Sequence, residues 1–278
     1  MAKECSNTSC TKESCEGCSS RPAKNDFRAR MNQDSNIKKV IGVISGKGGV
    51  GKSLITASFA NQLAAQGFKV GILDADITGP SIPRMYGIKE AAMASEKGIE
   101  PRTAENGIKI MSINLLLKHE DDPVIWRGPV IANMVKQFWT DVIWGELDFL
   151  LVDMPPGTGD VPLTVFQSLP VDGVVVVTSP QDLVKMIVKK AVKMAEMMNV
   201  PVLGIVENMS WYECPSCHER HEIFGKSRVE ELAARYRIPA LARIPMDPEV
   251  ARLCDGGQVE EVPEKWLYDI ATALPALL

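Results

Sequence analysis

Two short stretches hold residues whose types and spacing could do chemistry. The first is GKGGVGKS, which fits the pattern G-x-x-x-x-G-K-[ST] of a phosphate-binding loop. Glycines let such a loop curl until successive backbone N–H groups converge on phosphate oxygens. The helix that follows adds the partial positive charge of its N-terminus. Gly46, Lys47, Gly48, Gly49, Val50, Gly51, Lys52 and Ser53 are therefore candidate nucleotide contacts. Lys52 would reach the β- and γ-phosphates, and Ser53 would ligate Mg²⁺. Asp153 ends the run DFLLVD, where a carboxylate holds the same Mg²⁺ through water. Asp74 and Asp76, in DADITGPS, end a neighbouring strand, where a carboxylate can orient an attacking water. The second stretch is CPSC, Cys214 to Cys217, a C-x-x-C turn that presents two thiolates to one metal centre.

A lysine inside the loop, Lys47, is surplus to the phosphate contacts that Lys52 supplies. No N-K-x-D loop follows a late strand to read guanine, so ATP is the expected nucleotide, with Asn208 as a candidate adenine contact. The C-x-x-C pair is half a site, since a [4Fe–4S] cluster or a structural zinc needs about four ligands. A two-fold homodimer completes it. Zinc on the same four thiolates is the alternative occupant. His218 and His221 crowd CPSCHERH too tightly for finger spacing and are expected to be exposed polar residues. The c-type haem pattern CPSCH is discounted because haem attachment occurs outside the cytosol. Cys5, Cys10, Cys15 and Cys18 place four thiols within a short N-terminal run, enough for one [4Fe–4S] cluster, a zinc site or a transient hand-over site. Cys254 is expected to be a plain buried thiol.

The elements that must position these residues follow from hydrophobic pattern. KKVIGVIS, FKVGILD, DFLLVDMPPG, DGVVVVTSP and VPVLGIVENMS read as buried strands. KSLITASFANQLAAQ, GPVIANMVKQFWTDVIW, LVKMIVKKAVKMAEMMN and KSRVEELAARYR read as helices, with a closing helix from about Glu260. A strand pair turns at Asn106–Gly107. Alternating apolar strands and helices give an α/β fold, a doubly wound, mainly parallel sheet. Its ligands bind beyond the C-terminal strand ends, at the loops after Ser45, Leu73, Val152 and Val206. Residues 1–36 are a flexible, Cys-rich tail, and residues 37–278 are one P-loop ATPase domain.

Composition narrows the function. The net charge of −4 and scattered Lys and Arg argue against nucleic acid as a partner. No stretch is apolar enough to span a bilayer, and no basic amphipathic C-terminal helix addresses a membrane surface. The opening MAKECSNTSC lacks the apolar core of a secretory signal, so a cytoplasmic protein is expected. Seven cysteines in a reducing compartment point to metal or redox chemistry before disulfides.

GKGGVGKS, DADITGPSIP and DMPPGTGD together resemble the deviant Walker A ATPases, the group of MinD, ParA and the nitrogenase iron protein. Within it, the further motifs RGP at 127–129, ENMS at 207–210 and CPSC at 214–217 are most similar to the Mrp/ApbC-type iron–sulfur cluster carriers. The resemblance covers about residues 38–255. It implies that Lys47 acts in trans on the partner's nucleotide across a homodimer, that Lys52 and Asp76 complete the hydrolytic set, and that Asp153 sits in switch II. It further implies a labile [4Fe–4S] cluster bridged by Cys214 and Cys217 of two chains. The implied function is an ATPase that receives a cluster from a scaffold or donor protein and passes it to apo iron–sulfur proteins. A MinD/ParA-like positioning or partitioning ATPase with structural zinc is the alternative. An electron-transfer ATPase ranks below both, because the nitrogenase iron protein uses two well-separated cysteines per chain.

Overall fold

The computed structural model describes residues 29–77, 79–117, 128–157, 159–181 and 184–263. The tail cysteines, Arg127 and the part of the expected closing helix beyond Pro263 lie outside the described residues.

In chain order the elements are β1 (Ser35–Ser45), α1 (Lys52–Ala65), β2 (Val70–Asp74), α2 (Ile82–Met85), β3 (Met93–Ser95), β4 (Gly98–Glu100), β5 (Arg102–Thr103) and β6 (Lys109–Met111). Then come α3 (Gly128–Thr140), β7 (Gly145–Asp153), α4 (Asp160–Ser168), β8 (Gly173–Thr178), α5 (Val184–Met197) and β9 (Val202–Glu207). The chain continues through β10 (Tyr212–Glu213), β11 (Arg220–His221), α6 (Val229–Tyr236), β12 (Ala240–Arg243) and α7 (Pro248–Asp255).

Eight strands form one sheet in the order β12-β9-β8-β1-β7-β2-β6-β5. Every pairing is parallel except β5 with β6, whose turn spans the expected Asn106–Gly107. Strand β1 is central because its side chains are apolar on both faces. Val40 and Ile44 join the core under α3, α4, α5 and α6, while Ile41 and Val43 join the core under α1 and α2. Helices on both faces are what a parallel sheet requires, and the mainly parallel α/β expectation holds.

Several details depart from the sequence reading. Helix α3 stops at Thr140 and does not run to Trp144; Ile143 N–H instead bonds Ile99 O, and Trp144 is buried. Residues 29–34, assigned to the tail, pack on the domain: Trp139 Nε1 donates to Ala29 O, and Asn32 Nδ2 donates to Lys97 O. Strand β1 also begins at Ser35, before the expected boundary at 36. Helices α4 and α7 and strand β12 were not anticipated.

Candidate functional site

Strand β1 delivers the glycine loop to the C-terminal edge of the sheet, and α1 leaves it at Lys52. Gly51 adopts φ +78°, left-handed backbone that favours glycine. A Cβ there would also stand 2.2 Å from Asn208 Nδ2. Asn208 itself is 4% exposed; its Nδ2 donates to Val50 O at 3.0 Å, and its Oδ1 accepts from Met209 N. The end of β9 thus braces the loop from below. The candidate adenine contact lies at the loop, with its amide engaged by backbone.

The charged centre converges on Asp153, which is fully buried. Lys52 Nζ donates to its Oδ1 at 2.6 Å, and Ser53 Oγ to its Oδ2 at 2.6 Å. Thr56 Oγ1 donates to Oδ1 at 2.9 Å. Asp76 Oδ2 lies 3.7 Å from the same Lys52 nitrogen. Four expected residues, Lys52, Ser53, Asp76 and Asp153, are therefore together. Thr56 was missed, although its i, i+4 spacing puts it on the face of α1 that carries Lys52. A hydroxyl and a carboxylate side by side suit a hard cation, so Ser53 and Asp153 fit Mg²⁺.

Asp74 is fully buried beside this centre. Its carboxylate accepts from Ile82 N at 3.3 Å, Ser112 Oγ at 3.2 Å and Asp76 N at 3.2 Å. It therefore fixes both ends of the loop that carries Asp76. Burial first, then repulsion from Asp153, push the Asp74 carboxyl up to about 8, with Lys52 acting the other way. Lys47 has a different partner from Lys52. Its Nζ donates to Gln181 Oε1, on the loop after β8.

Two cavities adjoin the loop. One, of about 390 Å³, is lined by the loop glycines with Lys47, Lys52, Ser53 and Asp76. The other, of about 440 Å³, is largely apolar and is walled by Leu54, Ile55, Tyr212, Ile223, Met246 and Ala251 among others. Leu54 and Ala251 line both. Cys254 is not the plain buried thiol expected. It is half-buried and lines the first cavity, and burial, then Asp255, raises its thiol above the usual range.

Cys214 and Cys217 sit in the turn of the two-stranded hairpin β10–β11. Cys214 N donates to Glu219 O and His218 N to Cys214 O, with His218 at φ +59°. Cys214 is half-buried and Cys217 exposed. Hydrogen bonds from the backbone of Cys217, then of Ser216, hold the Cys214 thiol below its usual range. His218 and His221 are exposed, as expected. Among the described residues no group of three or more His, Cys, Asp or Glu could hold a metal ion. The pair is two ligands and no more within those residues. Trp211, just before the hairpin, lies under the guanidinium groups of Arg220 at 5.0 Å and Arg243 at 5.6 Å.

Comparison with known proteins identifies the family and the fold. The family model for the NUBPL iron-transfer P-loop NTPases, of the ParA group, matches residues 36–274. An iron–sulfur cluster carrier protein of Clostridium perfringens is 51% identical over 244 residues, which are 84% of this chain and 86% of that protein. A nucleotide-binding protein of Archaeoglobus fulgidus, solved in complex with ADP, is 48% identical with a TM-score of 0.74, covering 82% of this chain and 89% of its own. MinD of Pyrococcus horikoshii shares the fold, with a TM-score of 0.59 at 20% identity over 87% of this chain and 97% of its own. The chain belongs to the NUBPL iron-transfer family of P-loop NTPases.

Proposed function

We propose that this protein is an ATP-dependent carrier of iron–sulfur clusters. Two copies hold one labile [4Fe–4S] cluster between their Cys214 and Cys217 pairs, take it from a donor or scaffold protein, and pass it to apo-proteins. The observation that carries this reading is the exposed hairpin with two thiols, one of them acidified, on a P-loop NTPase of the iron-transfer family. Two thiolates grip a cluster incompletely, and a second copy supplies the other two. A pair with one half-buried and one exposed thiol, on an exposed turn, also favours release over permanent storage.

ATP would place its phosphates against the glycine loop and its base in the apolar cavity beyond Leu54. Ser53 and Asp153 would hold Mg²⁺, which would supply neutralisation of phosphate charge there. Lys52 already lies between Asp153 and Asp76, so the lysine is positioned before phosphate arrives. Asp76 orients the attacking water, and Asp74 and Ser112 hold the Asp76 loop in place. Lys47 acts on the nucleotide of the other copy, where a cation stabilises charge developing on the transferred phosphoryl group. Hydrolysis is slow and serves to reset a two-state grip on the cluster. Free thiols and a labile cluster require a reducing compartment, so we place the protein in the cytoplasm.

The test is iron and acid-labile sulfide per dimer after anaerobic reconstitution. Wild type should hold about four Fe per dimer at the bridging site. A variant with Cys5, Cys10, Cys15 and Cys18 changed to Ser should keep that site, and Cys214→Ala/Cys217→Ala should lose it. Tight zinc with no sulfide-dependent iron would make the pair a structural site and sink the carrier reading. Any additional iron lost only in the tail variant would assign the tail a site of its own.

A further inference from the structure

The apolar cavity and the thiol hairpin share walls and backbone. Tyr212 and Ile223, which flank the hairpin, line the cavity opposite Leu54 and Ile55 of α1. Met246 lines it from the segment that leads into α7. That segment is joined to the strand entering the hairpin: Met246 N donates to Trp211 O at 2.7 Å, Tyr212 and Met246 form a parallel bridge, and Ser210 N donates to Ile244 O at 2.8 Å. Tyr212 in turn pairs with His221 across the hairpin, and Cys214 follows two residues later. The turn itself is closed by two backbone hydrogen bonds, so it moves as one piece with Tyr212.

Helix α7 extends the connection to the phosphate side. Asp247 caps its N-terminus by accepting from Glu249 N at 2.9 Å. Ala251, Cys254 and Asp255 then line the phosphate cavity. Just past its C-terminus, Gly257 lies against Gly87 so closely that a Cβ on Gly257 would stand 2.7 Å from Gly87 Cα. Gly87 ends the segment that begins at Asp76. One helix therefore touches the phosphate cavity, the base-side cavity and the Asp76 segment, and the segment that leads into it is tied to the thiol hairpin.

We propose that Tyr212 and Met246 are positioning residues that couple nucleotide occupancy to the geometry of Cys214 and Cys217 within a single chain. The inference rests on the carrier reading for its purpose. A nucleotide can shift the hairpin only through contacts that change when the hairpin moves, and the shared wall is where nucleotide and hairpin would meet. Coupling between sites is reciprocal, so thiol-bound metal must change nucleotide affinity by the same factor.

Three of the seven cysteines, Cys214, Cys217 and Cys254, allow a direct test on full-length, reduced protein. Alkylation by iodoacetamide is followed at each cysteine by peptide mass spectrometry, with and without Mg-ADP. The protein concentration is one at which ADP leaves the sedimentation coefficient unchanged, so any response arises within one chain. Cys254 lines the phosphate cavity and reports occupancy; its rate should fall severalfold. Cys214 and Cys217 should change rate by about fivefold, the lower end of ordinary site-to-site coupling. At ADP concentrations that saturate Cys254 protection, Tyr212→Ala and Met246→Ala should abolish the response of Cys214 and Cys217, and Tyr212→Phe should retain it. Protected Cys254 with unchanged Cys214 and Cys217 in wild type overturns the coupling and leaves the carrier reading intact. A response that survives in both alanine variants overturns the assignment to Tyr212 and Met246. Unprotected Cys254 means that nucleotide does not enter this cavity, which overturns both. Zinc titration closes the thermodynamic cycle: wild-type zinc affinity should shift with ADP, and equal affinities in its presence and absence refute the coupling.

Discussion

Lys47 and Lys52 share one loop yet face different partners. Lys52 is 6% exposed and paired with Asp153, while Lys47 is half-buried and bonded to Gln181. Lys47→Ala should therefore leave ATP binding within about twofold of wild type and lower hydrolysis at least tenfold, the order expected for loss of a charge-stabilising contact. Equal hydrolysis in the variant, measured by phosphate release, removes Lys47 from the mechanism. Acting in trans also requires Lys47 to leave Gln181, a charge-assisted bond of roughly 1.5–3 kcal/mol. Asp74 supports a pH prediction. Its folded-state value of about 8 lies above the ordinary 3.8, so the folded chain holds this proton more tightly than the unfolded chain. That stabilisation is complete below about pH 4 and is lost as pH rises through about 8. Between pH 5 and 7 the loss is on the order of 1 kcal/mol per pH unit. Asp74→Asn should flatten this slope, and parallel urea-midpoint profiles of the two proteins would refute the assignment. The lysines and aspartates were legible because each follows a motif at a strand end. The Gln181 contact was not, because it joins two loops that only the sheet order brings together.

At the scale of elements, the glycine loop depends on its floor. Gly51→Ala meets both a left-handed φ and the Asn208 amide, so it should cost about 1–3 kcal/mol in the urea midpoint and weaken ADP binding together. Gly49, at φ +77° with open space around it, should lose the backbone term alone on the same change. If Gly51→Ala proves no worse than Gly49→Ala, Asn208 does not brace the loop. Buried strands were readable, since β2, β8, β9 and the C-terminal halves of β1 and β7 are largely apolar runs. Helix α4 was hidden by Pro162 and the glycines before it. Helix α7 carried a readable start, Asp247 followed by Pro248 at its first position, but is only eight residues long. Strand β12, four residues at the sheet edge, has no alternation strong enough to register. The apolar cavity was invisible for a related reason. Its walls come from α1, the segments after β9 and β11, the segment before α7 and α7 itself, among others, and no single window of sequence contains them.

At the scale of the molecule, a bridging cluster should make assembly depend on the thiols. Reconstituted wild type should sediment as a dimer at concentrations where Cys214→Ala/Cys217→Ala is shifted toward monomer, since only the first has the shared ligand. Equal dimer fractions would mean that the interface closes without the cluster. The sheet order has another consequence, for how the chain is made. Ile41 pairs with Leu151 on one side and Gly173 on the other. Translation at about 5–20 residues per second needs roughly 5–20 s to cover the intervening stretch of about 100 residues. During that interval the apolar segment VIGVIS has left the ribosome with no strand to pair with. Contacts this distant in sequence are also slow to form after release, because loop closure precedes any gain from pairing. The nascent N-terminal half is thus a natural chaperone client, and nucleotide cannot help to fold its own binding loop until β7 and β8 have been synthesised.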